Sequence, residues 1–322
     1  MSEFLMTAWL TGRVASLSTQ CGFTIGCVAV RVLPRRWLFG LADLLANVGF
    51  SLFRGFRSRS TNNIAMALGN QLNAAAMANT VRRSLRNFFR DCVEIGVTLE
   101  SSDDELQAQV PIVGREHLDA ALNKGKGVIV LSAHLGNFFI LGTRLAVEGY
   151  PNYVLVNQPR DGRFAELMDK YRLKVKQQTI HARPRCEALR KLNEVLRDNG
   201  IATIIADEYR QSSGVRVPLF GRMVIARRGP ATLALRTGAA VVPACVVRQP
   251  DDTLRLIIER ELELDRTGKT MADVKENTIR ITQWLERTVR KYPDQWNWMN
   301  IRWWANSFDP PIAKGQQVQR AS

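Results

Sequence analysis

The chain has 322 residues, of which 46% are hydrophobic and 23% are charged, so it can bury a sizeable core and is not a disordered polypeptide. Its 45 Lys and Arg residues against 30 Asp and Glu residues leave a formal charge of +15. Such an excess favours a polyanionic partner: an anionic membrane surface, a phosphorylated ligand or nucleic acid. Because no helix-turn-helix, zinc-finger or aromatic-interleaved basic motif is visible, we expect no nucleic-acid partner.

Two apolar stretches near the N-terminus, residues 14–30 and 37–53, are each bounded by arginines. Both lie at the lower length limit for a membrane span, which is about 17 residues, and the second contains Asp43. Apolar faces with basic flanks suit helices that lie in the headgroup region. We therefore predict that residues 1–60 form a membrane-associating helical segment, peripheral or shallowly embedded, on the cytoplasmic face of the inner membrane. A true span and ordinary amphipathic core helices remain the alternatives.

From residue 76 the sequence alternates between helical and extended patterns. An apolar stripe near the 3.6-residue period predicts a helix over 76–100, and Ser101-Ser102 then marks a new N-cap. Five apolar runs predict strands: 127–132, 153–156, 201–206, 241–247 and 254–258. Helices are predicted over 136–148, 164–171, 186–197, 227–236 and 271–290.

This alternation predicts the α/β class. Continuous apolar strands indicate a mostly parallel sheet that is buried on both faces by helices. We expect residues 61–322 to form this α/β domain, after the segment 1–60. Ligands of such sheets gather at the carboxyl ends of strands, which here are followed by Ser132-Ala133-His134 and by Asp207-Glu208-Tyr209-Arg210.

His134 is the strongest catalytic candidate among three histidines. It follows a predicted buried strand and precedes a helix, and the intrinsic pKa of imidazole suits general-base work. His117 falls in a polar helix start and His181 in a basic loop, so both are expected at the surface. The three histidines lie far apart, and no P-loop, dinucleotide fingerprint or G-x-S-x-G elbow is present. We expect no metal and no cofactor.

Three blocks in order along the chain resemble one family. They are LSAHLGNFF at 131–139, VPLFG at 217–221 continuing into 228–243, and YPDQW at 292–296. Together they are similar to the lipid A biosynthesis (lauroyl/myristoyl) and lysophospholipid acyltransferases, which have a glycerolipid acyltransferase-like fold.

The resemblance implies that a fatty acyl chain moves from an acyl carrier protein or CoA thioester to a hydroxyl of a lipid A precursor or lysophospholipid-like acceptor. His134 would be the general base, and backbone N–H groups near Gly136 or Gly221 would stabilise the oxyanion. The residues that the resemblance assigns to substrate binding are Gly136, Asn137, Gln158, Arg210, Phe220, Gly221, Arg228 and Gly229. The arginines between residues 210 and 228 would bind phosphate or pantetheine groups, or would form a solvated basic face.

One departure from the family pattern concerns the acid that orients the histidine. The family motif His-x-x-x-x-Asp/Glu has Phe139 at its acidic position here. Asp207 or Glu208, at the end of another strand, would supply the missing charge, whereas Glu148 lies too far along its helix. The alternative is a protein that has lost catalysis and binds a lipid or a partner.

Overall fold

A seven-stranded sheet lies at the centre of the described part of the chain, which in this computed structural model comprises residues 26, 28–69, 71–157, 162–210, 213–299 and 301. Its strands are β1 (Ile112–Val113), β2 (Val128–Ser132), β3 (Asn152–Val156), β4 (Gln178–His181), β5 (Ile201–Ile205), β9 (Ala240–Arg248) and β10 (Leu254–Ile258). Their order is β1-β10-β9-β2-β5-β3-β4, and every pair is parallel except β9 with β10. A small antiparallel sheet contains β6 (Tyr209–Arg210), β7 (Val215–Leu219) and β8 (Arg222–Ala226).

Helices precede the sheet and connect its strands. They are α1 (Arg35–Leu52), α2 (Arg54–Leu68), α3 (Ala74–Glu100), α4 (Asp103–Gln109), α5 (Arg115–Leu122), α6 (Phe138–Val147), α7 (Gly162–Lys174), α8 (Arg185–Arg197), α9 (Gly229–Thr237) and α10 (Thr270–Lys291). All five residues of β2 and all nine of β9 are buried, because helices cover both faces of the sheet. The predicted α/β fold with a mostly parallel central sheet is confirmed.

Several local predictions also agree with the structure. Ser102 caps α4 through a capping box with Glu105, and α9 ends at Gly238 in the left-handed conformation. The strand β4 and the small sheet were not predicted. His181 consequently closes β4 and is half-buried, whereas the sequence placed it in an exposed loop.

The helix α1 presents two different faces. Leu38, Ala42, Ala46 and Gly49 are buried where α1 packs on α3. Asp43 forms ion pairs with Arg86 and Arg90 of α3, and the Arg90 hydrogen bond holds the pKa of this carboxyl below its usual value. The other face carries exposed apolar side chains at helical spacing, here named the α1 stripe: Trp37, Leu41, Leu44, Leu45, Val48 and Leu52.

The structure describes only part of the N-terminal segment that was predicted to associate with a membrane. Of the first apolar stretch, residues 14–25 and 27 lie outside the described residues. No single described helix is both long and apolar enough to cross a bilayer, whereas α1 and α2 satisfy that requirement as a pair that is bent by 86°. The predicted domain boundary at residue 60 falls inside α2, where Ser60 is buried. The division into two units stays a prediction.

Candidate active site

His134 and Asp207 meet because their strands are neighbours. Ser132 at the end of β2 pairs in parallel register with Ile205 at the end of β5, and each site residue follows its strand by two positions. The His134 Nδ1 atom lies 2.8 Å from Asp207 Oδ1, and the His134 backbone N–H donates to Oδ2 at 2.9 Å. The structure thus places a carboxylate against the imidazole although Phe139 occupies the motif position.

The two partners differ in exposure. The Asp207 side chain is 3% exposed, whereas that of His134 is 33% exposed, with its ring edge-to-face on Phe138 at 4.9 Å. Because Nδ1 faces the carboxylate, Nε2 is the nitrogen left for proton exchange with a ligand. A buried carboxylate that contacts a more exposed imidazole is also the arrangement of the His–Asp pair in hydrolase triads.

The charge state of His134 follows from opposing effects. Burial lowers the pKa of the imidazole, but the hydrogen bond of the ring to Asp207 and the negative charges of Asp207 and Glu208 outweigh that effect. The pKa of His134 is therefore raised above the ordinary 6.5. A base with a raised pKa holds a captured proton more firmly, which suits transient protonation during a reaction.

Trp296 is a site residue to which sequence reasoning gave no individual role. Its indole Nε1–H donates to Asp207 Oδ2 at 2.9 Å, and the side chain is 1% exposed. The sequence matched it only as part of the YPDQW block. That block was the available signal, but one-dimensional spacing does not show which side chain reaches the acid.

Glu208 lies beside the pair and does not complete it. Its carboxylate accepts a hydrogen bond from Asn157 Nδ2 at 3.1 Å and forms an ion pair with Arg227. Of the two acids that the sequence offered, Asp207 contacts the imidazole, and Glu208 contributes a longer-range charge.

Gly136 and Asn137, two predicted substrate-binding residues near His134, make hydrogen bonds within the protein. Asn137 is 2% exposed and donates to Glu94 Oε2 and to the Asp91 carbonyl. Its side chain is therefore hydrogen-bonded inside the protein, and its role in substrate binding stays a prediction. The Gly136 N–H donates to the Gln295 carbonyl and the Asn137 N–H to the Val246 carbonyl, so these two groups are not available as oxyanion donors.

Gly136 allows a backbone conformation that other residues would not fit. Its φ is +58°, and a Cβ there would lie 2.0 Å from the Val246 carbonyl oxygen. Only glycine fits this close approach of the loop to β9.

Phe220 and Gly221 form the tip of the β7–β8 hairpin, with φ values of 51° and 75°. Two positive φ angles are typical of a type I′ turn, which matches the twist of paired strands. Phe220 is buried, packs on Trp296 at 5.8 Å between ring centroids and donates its N–H to Glu286. The Phe220 ring therefore packs against Trp296 within the protein, whereas Gly221 is exposed.

The remaining predicted binding residues are only partly placed. Arg228 and Gly229 are exposed at the start of α9. Gln158 and the side chain of Arg210 lie outside the described residues. Since Arg227 pairs with Glu208 and Arg222 donates to the Met66 carbonyl, the basic segment is partly committed to contacts within the protein.

No described contact joins Phe139, at the substituted motif position, to His134 or Asp207. The carbonyl of Phe139 accepts a hydrogen bond from Gln177 Nε2 at 2.6 Å, and the Arg172 guanidinium lies 6.0 Å from its ring centroid. Glu148 forms ion pairs with Arg144 and Arg115 and has no described contact with His134.

A buried charge network supports the loop that carries His134. Arg248 at the end of β9 contacts Glu94 Oε1 at 2.5 Å and Asp91 Oδ1 at 2.7 Å, and its side chain is 4% exposed. Burial and the nearby Glu94 charge raise the pKa of Asp91. Asn137 joins the network through Glu94, so the start of α6 is held by α3 and β9 together. Sequence reasoning missed this network, because Arg248 lies 154 residues from Glu94 and 157 residues from Asp91.

Among the described residues, the serine that lies nearest in sequence to His134 is not placed as a nucleophile. Ser132 is fully buried and its Oγ lies 3.8 Å from Cys245 Sγ, which makes it a poor candidate for attack on a substrate. Among the described residues no group of three His, Cys, Asp or Glu side chains could hold a metal ion. A His–Asp pair alone can deprotonate a hydroxyl that attacks an activated carbonyl.

Comparison with known proteins identifies relatives of this chain and its family. The chain is 26% identical over 312 residues to a phosphatidylinositol mannoside acyltransferase of Mycolicibacterium smegmatis, covering 95% of this chain and 98% of that protein. A phosphatidylinositol mannoside acyltransferase of Mycobacterium tuberculosis is 29% identical over 238 residues, covering 71% and 73%. The model of the bacterial lipid A biosynthesis acyltransferase family matches residues 17–305. The chain therefore belongs to this family and is an acyltransferase that acts on lipid substrates.

Proposed function

We propose that the protein moves a fatty acyl group from an acyl carrier protein or CoA thioester to a hydroxyl of a membrane lipid, with His134 as the general base. His134 Nε2 takes the hydroxyl proton while the oxygen attacks the thioester carbonyl. The tetrahedral intermediate collapses, the C–S bond breaks, and the imidazolium returns the proton to the departing thiolate. No covalent acyl-enzyme forms. The observation that carries the proposal is the 2.8 Å contact between His134 and Asp207.

The same contact favours an active enzyme over a protein that has lost catalysis. Phe139 was the reason to consider the inactive alternative. A buried carboxylate on the neighbouring strand supplies both functions of the motif acid, since it orients the ring and stabilises its charged form.

For the acceptor we propose a glycosylated phospholipid of the phosphatidylinositol mannoside type. The support is the similarity to the mycobacterial phosphatidylinositol mannoside acyltransferases, one of which aligns with 95% of this chain. A lipid A precursor and a lysophospholipid are the competing acceptors. All three present a hydroxyl beside an anionic headgroup, which agrees with the net charge of +15.

We further propose that the α1 stripe rests on an anionic bilayer at the cytoplasmic face of the inner membrane. Its six apolar side chains are exposed and lie on one side of the helix, and exposed arginines flank it as Arg35, Arg36 and Arg54. Asp43 does not oppose this contact, because it is paired with α3. An apolar stripe with basic ends is typical of helices that lie in the headgroup region.

The acyl-transfer proposal is tested with a substrate panel. Radiolabelled palmitoyl-CoA and palmitoyl-acyl carrier protein are each incubated with phosphatidylinositol mannoside, a lipid A precursor or lysophosphatidylglycerol, and the labelled lipids are separated. We expect transfer to phosphatidylinositol mannoside above the other two acceptors. Folded protein that transfers label to none of the three would refute the proposal, whereas transfer to another acceptor would refute only the choice of lipid.

The membrane proposal is tested by vesicle flotation. Leu44→Asp places a charge in the stripe and should weaken binding to vesicles with 30% phosphatidylglycerol by about tenfold or more. Leu173→Asp is the matched control, since Leu173 is also exposed but lies on α7. Equal losses in the two variants, or binding by neither variant nor wild type, would contradict the assignment.

A further inference from the structure

The segment after α10 is hydrogen-bonded to the loop that begins at His134. Trp296 forms an antiparallel bridge with Leu135, and the Asn297 N–H donates to the His134 carbonyl at 3.0 Å. The Gln295 carbonyl accepts the Gly136 N–H at 2.8 Å. The main chain from the His134 carbonyl to Gly136 is thus fixed to this C-terminal segment.

The Trp296 side chain also connects this segment to Asp207. A carboxylate on a short side chain can rotate about its terminal bond, which has a broad torsional preference. Here one oxygen, Oδ2, accepts both the Trp296 indole N–H and the His134 backbone N–H at 2.9 Å. With Oδ2 fixed by two donors, Oδ1 faces His134 Nδ1.

The donor itself has little freedom to move. Trp296 is 1% exposed and contacts Trp298 edge-to-face at 4.8 Å and Phe220 at 5.8 Å. Because these rings enclose the indole, its N–H stays directed at Asp207. Packing alone would explain a buried tryptophan, but not the meeting of its N–H with the catalytic carboxylate.

We propose that Trp296 is a positioning residue whose indole N–H orients Asp207 toward His134. This inference rests on the proposed function for its kinetic consequences. The hydrogen bond can be tested without any catalytic assay, so that failure of the inference and failure of the proposed function are distinguishable.

The kinetic test replaces the donor and keeps a ring. Trp296→Phe should lower kcat by about 10- to 100-fold, as misplaced catalytic groups do, with KM for the thioester changed less than about threefold. The acidic limb of the pH profile should move to higher pH, because Oδ2 keeps only the His134 backbone N–H as a donor and more negative charge then faces the imidazolium.

Trp284→Phe is the matched control. Trp284 is equally buried, but its indole N–H has no hydrogen-bond partner among the described residues. Its replacement should reduce the stability to unfolding while the acidic limb stays in place. A Trp296→Phe enzyme with unchanged kcat and pH profile, or a Trp284→Phe enzyme with the same shift, would overturn the proposal.

A measurement on the wild-type protein covers the case in which the variant does not fold. With ¹⁵N-labelled Trp and His, the Trp296 indole proton should exchange slowly with solvent and should shift in step with the titration of the His134 ring. An indole proton that exchanges rapidly, or that ignores the titration, would overturn the assignment whether or not acyl transfer is found.

Discussion

Replacing Asp207 by Asn removes the charge beside His134 while it nearly preserves the shape. The carboxylate is 3% exposed and lies 2.8 Å from the imidazole. Water therefore has little access to the space beside the ring and cannot stabilise the imidazolium in place of the lost charge. In serine-protease triads the equivalent change lowers kcat by about 10⁴-fold, which corresponds to about 5 kcal/mol of transition-state stabilisation. We expect a loss of this order in Asp207→Asn, measured as kcat with saturating thioester and acceptor.

The pH dependence of the residual activity gives a second readout. In the wild type the pKa of His134 is raised because the Asp207 hydrogen bond and charge outweigh burial. Without that charge, burial dominates and the pKa falls, so the acidic limb of the kcat profile should move to lower pH. Movement of the limb to higher pH would contradict this electrostatic account.

The control for Asp207→Asn removes the adjacent negative charge. Glu208→Gln loses a carboxylate that contacts Asn157 and Arg227 rather than the imidazole. We expect its kcat to fall less than tenfold. Thermal unfolding must show that both variants are folded. If Asp207→Asn retains kcat within tenfold of wild type, or if Glu208→Gln is equally damaging, the pairing of His134 with Asp207 is not what drives catalysis.

Three further outcomes follow from the contacts around the site. Phe139→Glu should not raise turnover, because the orienting acid is already present, and a tenfold gain would show that the motif position is needed. Arg248→Met leaves the buried Glu94 and the 20% exposed Asp91 without their cation and should cost about 3–5 kcal/mol in urea unfolding. Arg190→Met removes a side chain that is 70% exposed and should cost about 0–1 kcal/mol. Gly136→Ala should abolish activity because its Cβ would lie 2.0 Å from a carbonyl oxygen of β9. Gly125→Ala, at a similar φ of +68° but with open space around the added Cβ, should leave kcat unchanged. Equal effects of the two arginine variants, or of the two glycine variants, would contradict these expectations.

The sequence predicted the parts of the fold that depend on local pattern. The apolar runs of β2, β5 and β9 identified a buried sheet, since strands covered on both faces need no polar alternation. The rule that ligands gather at carboxyl ends then selected the loops of His134 and Asp207. Strand order was not available, so their adjacency stayed a hypothesis until β2 was seen beside β5.

Other features could not be predicted because they depend on contacts between distant segments. Trp296 reaches an acid 89 residues away, and Arg248 pairs with a glutamate 154 residues away. Asn137 is a polar side chain in a matched motif, and sequence alone does not distinguish a ligand contact from an internal hydrogen bond. The short strand β4 carries Gln178 and His181, which obscured its extended pattern.

The central claim is that His134 accepts the proton of the attacking hydroxyl. The most direct test is the single-turnover rate of acyl transfer by His134→Ala, with donor thioester preloaded and His117→Ala as the control. The account predicts a loss of about 10⁴-fold or more for His134→Ala and a rate within about twofold of wild type for the control. A folded His134→Ala protein that transfers acyl groups within tenfold of the wild-type rate would contradict it.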